Sequence, residues 1–347
     1  MKVILIDSGT TNSRIRLVET VENTVLDQLK INVGVRNTAI DGNNNRLKEK
    51  LKESIEKLLM TNEISSRNIS YIVASGMITS KLGVYEVPHV TGPASVNDFA
   101  TDSIVIKLKE FLDIPCIFVP GMKNKVSSDS NDVVDFINEY DVMRGEEVET
   151  IGLLKQFDIQ GKGFMVLPGS HTKYVVVDEQ QRLESCLSTL GGETLHAIQK
   201  ETILSGSLNE ELIRIIEPVM LEKGYEAAKK YGLTRSFYHI RLLELFAELT
   251  ESERANYYVG AVIADDLKAL MQSIDQEDIN WVVVGGSKPL RQVFSHLLQY
   301  MNQGWNIIEA DDAQVEGSLV YGAQEVASAY FQNDELNESD YKKMGGI

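Results

Sequence analysis

The segment that ends the first predicted strand combines a carboxylate, a glycine and several hydroxyl side chains. It reads Asp7-Ser8-Gly9-Thr10-Thr11-Asn12 and follows an apolar run that begins at Val3. Glycine has no Cβ, so a phosphate can approach its backbone, and the neighbouring N–H and hydroxyl groups are neutral donors. Carboxylate oxygens suit a hydrated Mg²⁺. The pattern predicts Mg²⁺ near Asp7 and nucleotide phosphates over Gly9 to Asn12, with an ordinary hairpin turn as the alternative.

A second turn of the same kind lies in the other half of the chain, at Gly169-Ser170-His171-Thr172-Lys173. Each turn joins two apolar segments and carries glycine with small hydroxyl residues. Two such turns can hold one polyphosphate from both sides, and they suggest two related lobes with a ligand in the cleft between them. By themselves, His171 is typical of a hydrogen-bonded turn residue and Lys173 of a solvated strand charge.

A third candidate is Val284-Gly285-Gly286-Ser287, which follows an apolar strand and precedes a helix that begins at Pro289. Glycines at this point let the backbone lie flat against a planar ligand such as adenine, and the helix start adds N–H donors. The alternative is a plain strand-to-helix turn.

Hydrophobic periodicity gives the elements that must position these turns. The first half is predicted as βββαβαβ. Its strands and helices are predicted at Val3–Asp7, Arg14–Glu19, Val25–Val33, Asn45–Met60 (helix), Tyr71–Ala74, Asn97–Leu112 (helix) and Cys116–Val119. A polar stretch at 127–132 and two helices, Val133–Glu139 and Glu146–Gln156, lead to the second half.

The second half repeats the three-strand opening and continues mainly with helices. Its strands are predicted at Phe164–Leu167, Tyr174–Asp178, Leu183–Leu187, Trp281–Val284 and Ile307–Ile308. Its helices are predicted at Glu193–Glu201, Glu210–Glu222, Ser236–Leu249, Glu253–Ser273, Pro289–Tyr300 and Ala313–Phe331. We therefore expect an N-terminal lobe over 1–150, which the C-terminal helix 314–331 joins, a C-terminal lobe over 151–313, and a polar tail over 333–347.

Composition excludes several classes of partner. The chain has 347 residues, with 51 acidic and 34 basic side chains and a formal charge of −17. The negative electrostatic field of such a chain repels nucleic acid and anionic membrane surfaces, so neither partner is expected. An anionic substrate would need a binding site with a local positive charge. No apolar run is long enough to span a membrane, and the start at Met1–Asp7 is too short for a signal-peptide core. Two cysteines, Cys116 and Cys186, are predicted to be buried thiols in a reducing cytoplasm.

The three turns together resemble the two phosphate motifs and the adenosine motif of the actin, Hsp70 and sugar-kinase superfamily. Within it, the chain is most similar to the 2-dehydro-3-deoxygalactonokinase family. The segments that carry this resemblance are Val142-Met143-Arg144-Gly145-Glu146-Glu147, Leu167-Pro168-Gly169-Ser170-His171-Thr172-Lys173-Tyr174, Gly192-Glu193, and Ala74-Ser75-Gly76-Met77-Ile78-Thr79-Ser80 with Gly83 and Val87-Pro88. They follow the family's order from residue 3 to about 327.

The resemblance implies an α/β fold of two actin-like, ribonuclease H-like lobes with mixed sheets that face each other across a nucleotide cleft. It also implies ATP and Mg²⁺ as cofactors, and phosphoryl transfer to the 6-hydroxyl of 2-dehydro-3-deoxy-galactonate in galactonate catabolism. The partner would be a small sugar acid. The sequence leaves the oligomeric state open, with a homodimer as one option.

The resemblance also suggests roles near the acceptor. Glu146 begins a helix just before the second phosphate turn, where related sugar kinases place a catalytic carboxylate, so it is the predicted base. Arg144 could pair with the substrate carboxylate. The alternative is an ordinary acidic helix start. Rivals for the base are Asp141 and Glu147, and the other predicted substrate residues are Gly76, Thr79 and Ser80, for which a hydroxyl-rich turn is the alternative.

Two residues depart from the family pattern. Ser8 stands where an aromatic residue is usual, and Gly191 stands where threonine is usual. The competing predictions are therefore a kinase of the same fold for another sugar acid or a hexose, and an ATP-switched scaffold related to actin.

Overall fold

The computed structural model describes residues 1–126, 133–276 and 278–344, with side chains as far as residue 333. The polar stretch predicted at 127–132 and the last three residues of the predicted tail lie outside this range. The α-helices are α1 (Val35–Asp41), α2 (Asn45–Thr61), α3 (Val96–Thr101), α4 (Glu146–Gln156), α5 (Gly191–Glu201), α6 (Pro218–Tyr231), α7 (Leu233–Phe246), α8 (Glu251–Ser273), α9 (Leu290–Met301) and α10 (Asp312–Met344).

The strands build two larger sheets and one small sheet. They are β1 (Lys2–Ser8), β2 (Ser13–Glu19), β3 (Thr24–Ile31), β4 (Ile69–Gly76), β5 (Val90–Thr91), β6 (Ile104–Lys107), β7 (Pro115–Phe118), β8 (Met122–Lys123), β9 (Val142–Met143), β10 (Gly163–Leu167), β11 (Thr172–Val177), β12 (Leu183–Thr189), β13 (Trp281–Val284) and β14 (Asn306–Glu309). Short 3₁₀ helices lie at Ser66–Asn68, Met77–Thr79, Lys109–Phe111, Ile137–Glu139 and Ile203–Gly206.

The first compact unit consists of Met1–Asp158, Arg182–Ser185 and the chain from Glu316 onward. Its six-stranded sheet has the order β3-β2-β1-β4-β7-β6. Strand β1 pairs antiparallel with β2 and parallel with β4, so it is covered on both edges and is apolar along most of its length. Helix α2 buries Leu47, Leu51, Ile55, Leu58 and Leu59 against this sheet's core, which confirms the helix predicted from their spacing.

The second compact unit consists of Ile159–Gln181 and Cys186–Val315. The five-stranded sheet, of which β12 contributes to this unit from Cys186 onward, has the order β12-β11-β10-β13-β14, and in it β10 pairs antiparallel with β11 and parallel with β13. The three strands that open each large sheet are consecutive neighbours in space. The repeated three-strand meander predicted from the sequence is therefore confirmed.

Three predicted helices differ from the structure. The helix predicted over 97–112 is wrong, because α3 ends at Thr101 and β6 then pairs antiparallel with β7 from Ile104 to Lys107. The run of β-branched residues in β6 favours an edge strand over a helix. The helix predicted over 133–139 is a turn followed by a 3₁₀ turn.

The third is the helix predicted over 210–222, which instead begins at Pro218 and continues to Tyr231. Proline fits the first helical position but disfavours helical geometry in the residue before it. The Asn256 side chain accepts a hydrogen bond from the Glu217 N–H at 2.9 Å and donates to the Ile215 carbonyl at 3.0 Å, which holds this segment in its non-helical path. At the C-terminus, the backbone of α10 continues past 331 to Met344, through most of the predicted tail.

Both cysteines are buried and free, as predicted. Among the described residues, no helix combines the length and the apolar character that crossing a membrane would require.

Candidate functional site

The first glycine-containing turn closes the hairpin between β1 and β2. The Gly9 N–H donates to the Asn12 carbonyl at 2.8 Å, and the hydroxyls of Ser8 and Ser13 are hydrogen-bonded at 2.8 Å below the turn. Thr10 and Thr11 are exposed at its tip. A methyl group on Gly9 would meet only the Asn12 carbonyl oxygen, at 3.7 Å, so the space beside this glycine is open to a ligand.

The start of α1 supports this hairpin from outside the motif. The Arg36 N–H donates to the Thr10 carbonyl at 2.9 Å, and the Val35 N–H donates to the Gly9 carbonyl at 3.3 Å. A methyl group on Gly34 would lie 2.5 Å from both of these carbonyl oxygens, so only glycine allows this approach. Sequence reasoning missed Gly34, although its position between β3 and the next helix was a usable signal.

Asp7 lies one residue before the end of β1, in a charged environment. Asp7 pairs in register with Arg14 on β2. The side chain of Arg16, also on β2, is only 1 % exposed. Burial raises the pKa of Asp7, the positive charges of Arg16 and Arg14 oppose this shift, and the charge of Glu146 adds to it. Arg16 was not predicted as a site residue; it also lies 3.7 Å from a carboxylate oxygen of Glu316. The buried guanidinium therefore favours the ionised form of Asp7.

Two glycines bring Glu146 to this carboxylate. Gly76 ends β4 with φ 81°, and a methyl group on it would lie 3.2 Å from Asp7 Oδ1. Gly145 has φ 119°, and a methyl group on it would lie 3.2 Å from the Cα of Gly76. The structure therefore places Asp7, Gly76 and the turn that carries Glu146 together within the first unit.

Glu146 and Glu147 have different environments at the start of α4. Glu147 is fully buried, and both of its oxygens accept the Gly145 N–H at 2.8 Å. Glu146 is half-buried, and its Oε2 accepts the Arg144 N–H at 3.1 Å. Asp141 lies before β9, where its Oδ1 accepts the Val142 N–H at 2.7 Å. Of the three rival carboxylates, Glu146 is the one that combines partial exposure with a place beside Asp7.

Burial and the charge of Glu146 raise the pKa of Glu147 to about 8 from an ordinary 4.5. The folded chain therefore keeps a proton that the unfolded chain loses, so the free energy of unfolding should fall as the pH rises between these values. The slope is at most about 1.4 kcal/mol per pH unit. We expect Glu147→Gln to lose this pH dependence. The Tm of the variant minus the Tm of the wild type should therefore increase from pH 5 to pH 8.

Thermal unfolding across this pH range checks the expectation, with Glu149→Gln in the same helical turn as the matched control. A Tm difference between Glu147→Gln and the wild type that does not change with pH would contradict it.

The guanidinium of Arg144 is held by protein groups. Nη1 donates to the carbonyl and the hydroxyl of Thr79 at 2.8 and 2.7 Å, and Nη2 donates to the Val87 carbonyl at 2.9 Å and contacts the His89 ring at 3.1 Å. Thr79 is fully buried, and the Ser80 hydroxyl donates to the Met77 carbonyl at 2.7 Å. Arg144, Thr79 and Ser80, which were predicted to bind the substrate, therefore lie beside Gly76, and the contacts seen here stabilise the loop itself.

In the second unit, the hairpin between β10 and β11 packs on the start of α5. The Glu193 N–H donates to the Ser170 carbonyl at 2.9 Å, and His171 Nε2 lies 3.2 Å from Glu193 Oε1. A methyl group on Gly192 would lie 2.0 Å from the Gly169 carbonyl oxygen. His171 is half exposed, whereas Lys173 is buried and donates to the Ser188 hydroxyl.

Asp266 on α8 lies beneath this hairpin and was missed by sequence reasoning. It accepts a hydrogen bond from the Thr189 hydroxyl at 2.8 Å and another from Thr172. Burial raises the pKa of Asp266 to about 6. A methyl group on Gly191 would lie 2.1 Å from Asp266 Oδ2, so glycine at this unusual position makes room for the carboxylate. Nothing in the sequence around Asp266 signals this contact.

The third predicted turn lies at the same end of the second sheet. Gly286 has φ 72°, and a methyl group on it would lie 2.8 Å from the Pro168 carbonyl oxygen, so this turn contacts the start of the phosphate-type hairpin. The Gly285 N–H donates to the Val166 carbonyl at 2.9 Å, and Ser287 is exposed. All the predicted residues of the second half are therefore brought to one end of one sheet.

The charged side chains fit a magnesium ion that keeps most of its water. Within the described residues, no three His, Cys, Asp or Glu side chains are grouped so that they could hold a metal ion by themselves. Asp7 provides a single carboxylate at the edge of an open turn. Mg²⁺ is commonly bound by one or two carboxylates together with waters and substrate phosphates, so this donor set fits that ion.

Comparison with protein families gives a match over almost the whole chain. Residues 7–320 match the family model described as 2-keto-3-deoxy-galactonokinase. A search of the curated proteins finds no match.

Comparison with solved structures shows the fold. The structure of "a putative 2-dehydro-3-deoxygalactonokinase protein from Sinorhizobium meliloti" is 20 % identical with a TM-score of 0.71, over 94 % of this chain and 96 % of that one. That of "the Putative N-acetylglucosamine Kinase" from Porphyromonas gingivalis is 12 % identical with a TM-score of 0.50, over 93 % of this chain and 99 % of that one. The predicted class, α/β with actin-like mixed sheets, is thereby confirmed.

Proposed function

The chain belongs to the 2-keto-3-deoxy-galactonokinase family of sugar kinases, and from that premise we propose that it transfers the γ-phosphoryl group of ATP to the 6-hydroxyl of 2-dehydro-3-deoxy-galactonate in galactonate degradation. The observation that carries the proposal is the grouping of Asp7, Gly76 and Glu146 in the first unit. Kinases need a positioned carboxylate for the acceptor proton and charge neutralisation for the phosphates.

In this proposal, Glu146 is the general base. Its carboxylate accepts the proton of the acceptor hydroxyl, the hydroxyl oxygen forms the new bond to the γ-phosphorus, and the bond from that phosphorus to the oxygen shared with the β-phosphate breaks, leaving ADP. Glu147 cannot easily take this role, because both of its oxygens bind the Gly145 N–H and its side chain is fully buried. Glu147 instead fixes the turn that presents Glu146.

Each unit, taken by itself, has residues that we assign to the nucleotide. The open turn from Gly9 to Asn12 supplies phosphate donors, Gly169, Ser170 and His171 supply a second set, and Gly285 to Ser287 bind the adenosine. Lys173 orients the second hairpin, because its ammonium is buried against Ser188. Asp7 would hold Mg²⁺ through water; the ion, when bound, neutralises phosphate charge.

The two departures from the family pattern have contacts inside their own units. Ser8 is buried and bonded to the Ser13 hydroxyl, and Gly191 makes room for Asp266. Both contacts are internal to the fold, so neither departure by itself favours a different acceptor.

An acceptor panel tests the proposal. Coupled measurement of ADP release should show much higher kcat/KM for 2-dehydro-3-deoxy-galactonate than for gluconate-derived acids or hexoses. Equal turnover with another acceptor would show that the proposed substrate is wrong. ATP-dependent filaments without acceptor-stimulated turnover would show that the protein is an actin-like scaffold and not a kinase. We further propose that the kinase works in the cytoplasm without nucleic-acid partners, which its free buried cysteines and its charge of −17 support.

Gly192→Ala tests the second hairpin. The added methyl group would meet the Gly169 carbonyl oxygen at 2.0 Å, so the hairpin or α5 must move. We expect a loss of about 1–3 kcal/mol in the free energy of unfolding and a higher KM for ATP. Gly206→Ala is the matched control in the same unit, because a methyl group there meets nothing within 4 Å. Equal KM values for ATP in both variants would contradict the assignment of this hairpin to the nucleotide.

A further inference from the structure

The small sheet of the first unit has one buried and one exposed face. Its pairs align Val90 with Met122 and Met122 with Met143, and these three side chains are buried. The next row aligns Thr91 with Lys123 and Lys123 with Val142. Side chains alternate between the faces of a sheet, and all three residues of this second row are exposed. Lys123 therefore stands in the centre of the exposed face.

The acceptor side of the proposed site continues this face. His89, Gly121 and Arg144 flank the three strands and form the adjacent row. A methyl group on Gly121 would lie 2.9 Å from the His89 ring and 3.2 Å from the Arg144 Cβ, so these two side chains close over the glycine. Rows on the same face are about 6.6 Å apart. Glu146 accepts the Arg144 N–H at 3.1 Å, so the proposed base lies two residues along the chain from this adjacent row and is hydrogen-bonded to it.

The side chain of Lys123 is exposed. Among residues 1–126, 133–276 and 278–333, no carboxylate lies within ion-pair distance of its ammonium group. Arg144, by contrast, is held by Thr79, Val87 and His89. Burial and the charges of Arg144 and Lys123 lower the pKa of His89 to about 4, so this ring is neutral at neutral pH and adds no charge.

A cavity of about 680 Å³ opens beside this cation. Its polar lining residues besides Lys123 are Thr91, Asn124, Lys125, Tyr140 and Asp141. Cavities that bind small molecules have similar volumes. A lysine ammonium next to hydroxyl groups suits a carboxylate on a polyol. The chain has a net charge of −17, but in the lining of this cavity the two cations Lys123 and Lys125 outnumber the one carboxylate, Asp141, which gives the local positive charge that an anionic acceptor requires.

We infer that Lys123, rather than Arg144, binds the carboxylate of the acceptor, with the exposed face of the small sheet as the acceptor subsite. This inference rests on the proposed sugar-acid kinase activity. Arg144 is then a positioning residue, which fixes the loop after Gly76 and the turn before Glu146. The subsite selects acids over neutral sugars, because an uncharged acceptor gains nothing from the ammonium group.

The test compares Lys123→Met with the wild type on 2-dehydro-3-deoxy-galactonate and on its uncharged methyl ester. A hydrogen bond to a charged group contributes about 1.5–3 kcal/mol, so we expect KM for the acid to rise about 10- to 100-fold. The values of kcat, KM for ATP and KM for the ester should stay within about twofold, and Lys123→Arg should recover part of the loss. Lys107→Met, at the exposed end of β6, is the matched control and should leave every constant unchanged.

Each outcome has a separate meaning. An unchanged KM for the acid in Lys123→Met, with normal wild-type turnover, overturns the inference alone. Equal losses for acid and ester also overturn it, because they indicate a structural role. Absence of acceptor-stimulated turnover in the wild type overturns the proposed function, and the inference with it.

Discussion

Glu146→Gln is expected to lower kcat by about 10²- to 10⁴-fold while KM for ATP stays near its wild-type value. Glutamine keeps the size of the side chain and its contact with the Arg144 N–H, but its amide cannot accept the acceptor proton at neutral pH. The expected loss is therefore in the chemical step. Steady-state kinetics with saturating acceptor, together with nucleotide binding by calorimetry, separates the two effects.

Glu149→Gln is the control for this experiment, since it removes one negative charge from the same first turn of α4. It should keep kcat within about twofold. Near-native kcat in Glu146→Gln would show that Glu146 is not the base. The variants Asp141→Asn and Glu147→Gln would then identify which of the two rival carboxylates has that role.

Asp7→Asn is expected to remove most turnover and to raise the Mg²⁺ concentration needed for half-maximal rate. The variant loses the carboxylate assigned to the ion, and it also leaves the buried Arg16 without one of its two negative neighbours. Removing one partner from a buried pair of charges commonly costs about 3–5 kcal/mol, and the half-exposed Glu316 should reduce this loss. The Tm should fall together with activity.

Magnesium titrations of the rate and thermal unfolding measure these two effects. Asp27→Asn on β3 of the same sheet is the control, because Asp27 accepts hydrogen bonds from the Gln28 N–H and the Asn62 amide and pairs with Leu17, away from the hairpin turn. If the Asp7→Asn variant had normal turnover and a normal dependence on magnesium concentration, Asp7 could not be a residue that holds the metal ion.

The sequence predicted the elements whose signal is local. Helix α4 and strand β13 both have the predicted bounds. The three-strand meander that opens each large sheet follows from alternating apolar residues and glycine-containing turns. Prediction from the sequence failed where contacts with residues distant in the chain determine the secondary structure. Residues 104–107 have enough apolar spacing for a helix, yet β7 offers them an edge with free hydrogen-bonding groups.

Within the candidate site, the sequence by itself determined which chemical groups are present and on which turns they stand: Asp7 before Gly9, the Gly145-Glu146 helix start, and the Gly169 and Gly285 turns. Only the tertiary structure decided what each group can do. Arg144 has the right chemistry for a carboxylate, but folding engages it with Thr79 and Val87. Burial and neighbouring charge depend on residues distant in the chain, whereas turn and strand patterns depend on adjacent ones. For this reason Glu146 and Glu147, neighbours of the same type, have different environments and are proposed to have different roles.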